Sequence, residues 1–188
     1  MQDPEFIKQL IPWLKNAGER VHGEFSCLTL RQLNWKPSAD KWSIAQCLDH
    51  LIVADSLYFT VLDRIAAGQN KMSWWERWSP FSNFFGKFFI RHLQETPKRK
   101  MKTTPVFFPA SGAIDDGIMQ RFYTHLDKMI NLTDACRDAD LDKTIISSPQ
   151  TRIITYSLRD VFTFLTSHLH RHIGQAMRVK ETGGFPAD

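Results

Sequence analysis

Apolar residues recur at helical spacing along four long stretches of this chain, whereas the alternation of apolar and polar residues that marks a strand is almost absent. The stretches cover residues 4–22, about 43–68, about 114–138 and 158–179. The second is the most sharply bounded, because Ser43 and Gln46 match the capping box that opens a helix and Gly68 suits its C-terminal end. The pattern therefore predicts four long amphipathic helices.

The connection between the second and third helices differs from the rest of the chain in length and composition. Residues 69–112 begin with tryptophans and phenylalanines and continue into a basic, proline-containing tail. Such a connection is long enough to let the two helices that it joins run parallel. We predict an all-α fold, a four-helix bundle with a long crossover between helices two and three. At 188 residues, the chain is expected to form a single domain, residues 1–188, with an aromatic and basic insertion at about 69–112.

The aromatic part of this insertion, residues 74–89, has three interpretations. It could form a pocket lid, a dimer surface, or a cationic amphipathic helix that binds a membrane surface. We favour packing or dimerisation, which predicts a homodimer.

Composition bears on compartment and on partners. The chain has no run of about eighteen apolar residues, and its N-terminus lacks the pattern of a signal peptide. The three cysteines form no C-x-x-C pair and make an odd count, which fits a reducing compartment. The net charge of +4 is mild, and the chain has neither a recognition-helix pattern nor an extended basic face. We therefore expect a cytoplasmic protein that acts without a membrane or a nucleic acid.

The stretch "TSHLHRHIGQ", residues 166–175, places three histidines at alternating positions of the fourth helix. His168 and His172 are only about 40° apart on a helical wheel, within the apolar face, whereas His170 is about 200° from His168. The outer two histidines should therefore lie in the core, and the middle one should face solvent or a partner. Arg171 lies at the edge of the buried face.

Two buried imidazoles have two explanations. Hydrogen bonds can satisfy them, but the i, i+4 spacing also suits two helical histidines that chelate one metal ion. A third ligand would have to come from another helix, and His50 and His125 are the histidines on the other long helices. His50 flanks the apolar stripe of helix two, and His125 is the reserve candidate. From spacing alone, both explanations stay open.

The segments "KWSIAQCLDHL" (41–51) and "HLHRHIGQAMRV" (168–179), together with "SSP" (147–149) and "YSLRD" (156–160), resemble the DinB-like superfamily, which includes the YfiT-type proteins. The resemblance covers most of the chain. It implies a four-helix bundle with a divalent metal, zinc or nickel most of all, held by His50, His168 and His172. It also makes His125 a bystander, either a residue next to the metal ligands or a core residue. The sequence departs from many relatives in having Gln46 and Leu169 where they have acidic residues, which puts any role for an acid beside the metal in doubt.

Three histidine ligands leave a coordination position open, which is typical of catalytic rather than structural sites. The resemblance implies a transferase that uses a low-molecular-weight thiol, or a hydrolase-like enzyme, acting on a small-molecule substrate. Arg171 or the basic cluster at 98–102 could receive the carboxylates of such a thiol. The alternative is a bundle that binds a metal or a partner without turnover. For Trp42, just before helix two, we favour a hydrophobic staple or core plug over a substrate platform.

Overall fold

The computed structural model of the chain describes residues 3–79, 108–149, 151 and 153–187. Within these ranges, six helices and one two-stranded sheet follow one another: α1 (Pro4–Phe25), α2 (Leu30–Asn34), α3 (Ile44–Ala66), α4 (Trp74–Trp78), α5 (Ile118–Ala135), β1 (Ile145–Ser147), β2 (Thr155–Ser157) and α6 (Leu158–Lys180). The predicted all-α class is confirmed. None of the described helices is both long and apolar enough to cross a bilayer.

Side-chain caps fix where α3 and α6 begin. Ser43 and Gln46 exchange both hydrogen bonds of a capping box at the start of α3, as the sequence predicts. Ser157 and Asp160 form the equivalent box at the start of α6. The end of α3 is also where the sequence predicts it, because Gly68 adopts a positive φ of 67° that favours glycine.

The four long helices pack as a closed ring in the order α1, α5, α3, α6, so that α1 lies diagonally across the bundle from α3 and α5 across from α6. Helices α3 and α5 run parallel: Ser56 contacts His125, and further along both helices Cys136 contacts the carbonyl of Leu62. A parallel pair needs a connection that returns along the bundle, and the crossover between these helices provides it.

Helix α6 runs antiparallel to α3. The N-terminal half of α3 meets the middle of α6 at His50 and His168, whereas Tyr58, further along α3, packs on Phe164, one turn earlier in α6. The Tyr58 hydroxyl also lies 2.7 Å from that of Tyr156, the residue before the cap of α6. This contact between α3 and the start of α6 helps to set how the two helices face each other.

Two expectations for the second half of the chain need correction. The segment 145–157 lies between the third and fourth predicted helices, where the sequence predicts a loop and no strand, but it contains an antiparallel hairpin in which Ile145 pairs with Ser157 and Ser147 with Thr155. Its strands have three residues each, too few to show a clear alternation. The third long helix begins at Ile118 rather than near residue 114, because a turn precedes its cap.

The aromatic insertion is described only in part, since residues 80–107 lie outside the described ranges. Its first helix, α4, packs on the hairpin: Trp75 donates to the carbonyl of Ile153, and Glu76 accepts from the backbone N–H of Ser147. Trp74 and Trp78 on the same helix are 73% and 72% exposed. The interpretations of residues 80–89 and of the basic cluster at 98–102 therefore stay predictions.

The three cysteines should differ in reactivity by their burial. Burial raises the pKa of the Cys47 and Cys136 thiols to about 12, whereas Cys27 is exposed. Because the thiolate is the reactive form, we expect the folded protein to consume about one equivalent of a chromogenic disulfide quickly, and about three after denaturation. Cys27→Ser should remove the fast phase, and three fast equivalents in the folded wild type would contradict this prediction.

Candidate metal centre

Three buried histidines meet where the N-terminal turns of α3 face the middle of α6. His50 comes from α3, and His168 and His172 come from successive turns of α6. One ring nitrogen from each lies within 4.8 Å of the other two. The structure thus brings together the three histidines that the sequence and the resemblance single out.

The closest contact in this cluster joins the Nε2 atoms of His50 and His168, 3.1 Å apart. Two imidazole nitrogens that bind the same zinc ion at about 2.0–2.1 Å lie about 3 Å from each other. The same distance also allows a direct hydrogen bond when one of the two nitrogens carries a proton. The spacing of this pair therefore fits a shared cation, and the ring nitrogen of His172 lies within 4.8 Å of both.

His172 has the environment of a neutral imidazole. Burial lowers its pKa well below the ordinary value, and the neighbouring His168 and His50 lower it further. Its Nδ1 atom is buried and has no hydrogen-bond partner in the part of the chain that the structure describes. A neutral imidazole with a nitrogen lone pair is the form that binds metals, whereas an unused buried nitrogen is costly in an ordinary core.

A buried carboxylate orients the central histidine. Asp55, fully buried on α3, accepts a hydrogen bond of 2.8 Å from Nδ1 of His168. Burial alone would raise the pKa of Asp55, but the facing imidazoles of His168 and His125 outweigh it and hold the pKa below its usual value. This contact fixes the proton on Nδ1 and leaves Nε2 of His168 as the acceptor, an arrangement that recurs behind metal-binding histidines.

Sequence reasoning missed Asp55, although a signal was present. The residue occupies an apolar position of the α3 stripe, where an acid needs an explanation. The stripe positions around it are Leu48, Leu51, Tyr58 and Leu62. Leu169 is fully buried in the core, and the carboxylate beside the cluster comes from Asp55 on α3.

Aromatic rings enclose the cluster. The half-buried Trp42 packs against the core, as predicted, and its ring also lies 4.8 Å from that of His50 and is stacked 5.7 Å from that of His172. Phe164 stacks on His168 at 5.4 Å. These ring contacts limit the rotation of the imidazoles and so help to keep them oriented.

The other two histidines of interest lie apart from the cluster. His170 is half-buried on the far side of α6, where its ring packs 5.1 Å from that of Trp13. His125 on α5 is buried, and its Nε2 atom lies 3.9 Å from Asp55. The reserve candidate is therefore a neighbour of Asp55 rather than a member of the triad.

Arg171, the predicted substrate-binding residue, follows His170 on α6 and is half-buried. Burial and the nearby Arg178 lower the pKa of its guanidinium. Its role toward a substrate stays a prediction.

The end of the crossover is fastened beside the cluster. The carbonyl of Ala110 accepts a hydrogen bond from Gln46 Nε2 at 3.0 Å, and its N–H donates to Asp49 at 2.9 Å. Gln46 meanwhile accepts from the backbone of Ser43 through its other terminal atom, Oε1. Only an amide can serve both partners, which gives a structural reason for glutamine at this position.

Gln46→Glu should therefore destabilise the fold even though it keeps the capping oxygen. The variant loses the donor to Ala110 and sets a carboxylate against a carbonyl, which should cost about 1–2 kcal/mol in urea unfolding. Asp49→Asn retains an acceptor for the Ala110 N–H, so it serves as the matched control and should change stability by less than about 0.5 kcal/mol. Equal stability of Gln46→Glu and the wild type would contradict the role of this amide.

A ring of four helices and a buried histidine triad together define a class: helical-bundle proteins with a candidate metal site between two of their helices. The sequence profile of the DinB superfamily matches residues 14–176. Because this match covers most of the chain, the protein belongs to the DinB superfamily. No curated protein and no solved structure matches the chain.

Proposed function

We propose that this DinB-superfamily protein binds one divalent cation, Zn²⁺ or Ni²⁺, through His50, His168 and His172. The observation that carries the proposal is the convergence of three buried ring nitrogens within 4.8 Å of one another. Imidazole suits both metals, and burial favours the neutral form that binds them. Three protein ligands also leave a coordination position for a small molecule.

We further propose that the protein is an enzyme, a transferase that joins a low-molecular-weight thiol to a small electrophile. The thiol sulfur forms the new bond to carbon, the leaving group departs with its electron pair, and the thiol proton passes to solvent or buffer. A divalent cation bound by the triad would supply a Lewis-acid position that lowers the pKa of a thiol or of water held there.

The surrounding residues have distinct parts in this proposal. Asp55 holds His168 in the orientation that directs Nε2 toward His50. Trp42 and Phe164 shield the imidazole rings from water. Arg171 would receive a carboxylate of the thiol, because it lies between His168 and His172 along α6 and carries a positive charge in that region.

The experiment separates binding from turnover. Metal content is measured on protein purified without chelators, and thiol loss is then followed with a haloaromatic electrophile and a panel of glutathione, bacillithiol and mycothiol. We expect about one metal ion per chain and thiol consumption that stops when the metal is removed. Bound metal without consumption of any thiol would favour a hydrolase-like enzyme or a bundle without turnover, and protein that takes up neither zinc nor nickel would overturn the metal proposal.

A homodimeric state and a cytoplasmic location are also proposed. Trp74, Trp78 and Ile153 leave large apolar side chains exposed where α4 packs on the hairpin, and this surface would suit a second copy. The three free cysteines agree with a reducing compartment. Light scattering on the wild type and on Trp74→Ser/Trp78→Ser tests the dimer, which should dissociate in the double variant; a monomeric wild type would refute it.

A further inference from the structure

A second imidazole, that of His125, lies near Asp55, the carboxylate that orients the histidine triad. Asp55 uses Oδ1 for His168, and its other oxygen, Oδ2, lies 3.9 Å from Nε2 of His125. Both Oδ2 and this nitrogen are buried and lack a hydrogen-bond partner among the described residues. Burial of a polar atom without a hydrogen bond costs free energy. The two atoms face each other within the distance of an ion pair, so each is the polar group nearest to meeting the need of the other.

The ring of His125 is held in place from two other sides. It stacks on Phe59 of α3, with the ring centres 4.8 Å apart and the planes 24° from parallel. Its Nδ1 atom lies 3.4 Å from the hydroxyl of Ser56. These contacts aim Nε2 at Asp55, so the imidazole cannot turn away without losing them.

We infer that His125 is a positioning residue for the histidine triad, acting on His168 through Asp55. The inference rests on the proposed metal-binding function. His168 lies on α6, Asp55 on α3 and His125 on α5. Helix α5 thus helps to orient His168, although it contributes no histidine to the triad. With His125 in place, Oδ2 faces an imidazole nitrogen while Oδ1 accepts from His168, which restricts the rotation of the carboxyl group that would break the contact between Oδ1 and His168.

Zinc affinity of a set of variants tests this role, measured by competition with a chromophoric chelator. Outer partners of a metal-binding histidine typically contribute about 10- to 100-fold in affinity, so we expect a loss in that range for Asp55→Asn and of about tenfold for His125→Phe. His125→Phe keeps an aromatic ring against Phe59 but has no nitrogen. The matched control is His170→Phe, the same replacement on the outer face of α6, which should bind zinc within about twofold of the wild type.

A double-mutant cycle distinguishes an effect through Asp55 from general damage to the core. If His125 acts on the triad through the carboxylate, His125→Phe should weaken zinc binding no further once Asp55→Asn is present. His125→Gln, which restores an N–H donor, should recover part of the lost affinity. Wild-type affinity in His125→Phe, or losses that simply add in the double variant, would overturn the inference.

A readout on metal-free protein keeps the inference separate from the proposed function. Nitrogen-15 NMR of the imidazoles reports which ring nitrogen of His168 carries the proton, and we expect a single Nδ1–H form in the wild type and a mixture in His125→Phe. That result, in a protein that binds neither zinc nor nickel, would refute the metal proposal and support the positioning role. Zinc binding with an unchanged His168 spectrum in His125→Phe would refute the positioning role alone.

Discussion

Replacement of His172 by alanine will reduce bound zinc from about one equivalent per chain to a trace after dialysis, because it leaves two of three ligands. Each metal–ligand bond contributes several kcal/mol, so the affinity should fall by about two to three orders of magnitude. Elemental analysis of dialysed protein measures the retained metal, and chelator competition measures the affinity. His172 is the sharpest test because its buried Nδ1 atom has no hydrogen-bond partner among the described residues.

His170→Ala is the control for this loss. It removes an imidazole from the same helix two residues earlier, yet its ring packs on Trp13 and lies outside the triad. It should retain the wild-type metal content, and circular dichroism should show that both variants keep their helices. Full metal retention by His172→Ala would exclude the triad as the site.

Phe122→Ala should destabilise the bundle by about 3–5 kcal/mol, the cost of emptying a site that cannot collapse around the loss of a buried aromatic ring. Phe122 lies on α5 and is 0% exposed, among the largest fully buried side chains of the described core. Urea or thermal unfolding measures the change. The metal content of the folded fraction should not change, since the residue is not part of the cluster.

Phe108→Ala deletes the same atoms from a residue that is 52% exposed, which makes it the matched control. Surface substitutions of this kind usually change stability by no more than about 0.5 kcal/mol. Similar losses in the two variants would mean that the packing of α5 against its neighbours contributes less than its burial implies.

The sequence predicts the bundle well because its signals are local. The Ser43 capping box, the stop at Gly68 and the long apolar stripes each depend on a few neighbouring residues, and the structure has them in place. The hairpin at 145–157 escaped prediction because three-residue strands give no periodic pattern and are stabilised by pairing across the turn and by α4. Such contacts are not local in the sequence.

The residues of the site also divide into those with a local sequence signal and those that depend on contacts between helices. The i, i+4 spacing of His168 and His172 shows on one helix, and the resemblance supplied His50 as their partner. The pairing of Asp55 with His168 depends on how α3 and α6 are rotated against each other, which no single-helix pattern contains. The place of Trp42 against two of the histidine rings likewise follows from packing. Binding of a metal by the triad, the role of Arg171 and the single-domain organisation stay predictions.

The cap at Ser157 has a consequence for how this protein can change in length. Because the cap fixes where α6 begins, one residue inserted between Ser157 and His168 would turn every later side chain by about 100° around the helix axis. His168 and His172 would then leave the interior together, while the helix itself could remain intact. The loops of this bundle can therefore accept insertions and deletions. The stretch of α6 between Ser157 and His168 cannot, because one added residue would separate both imidazoles from His50.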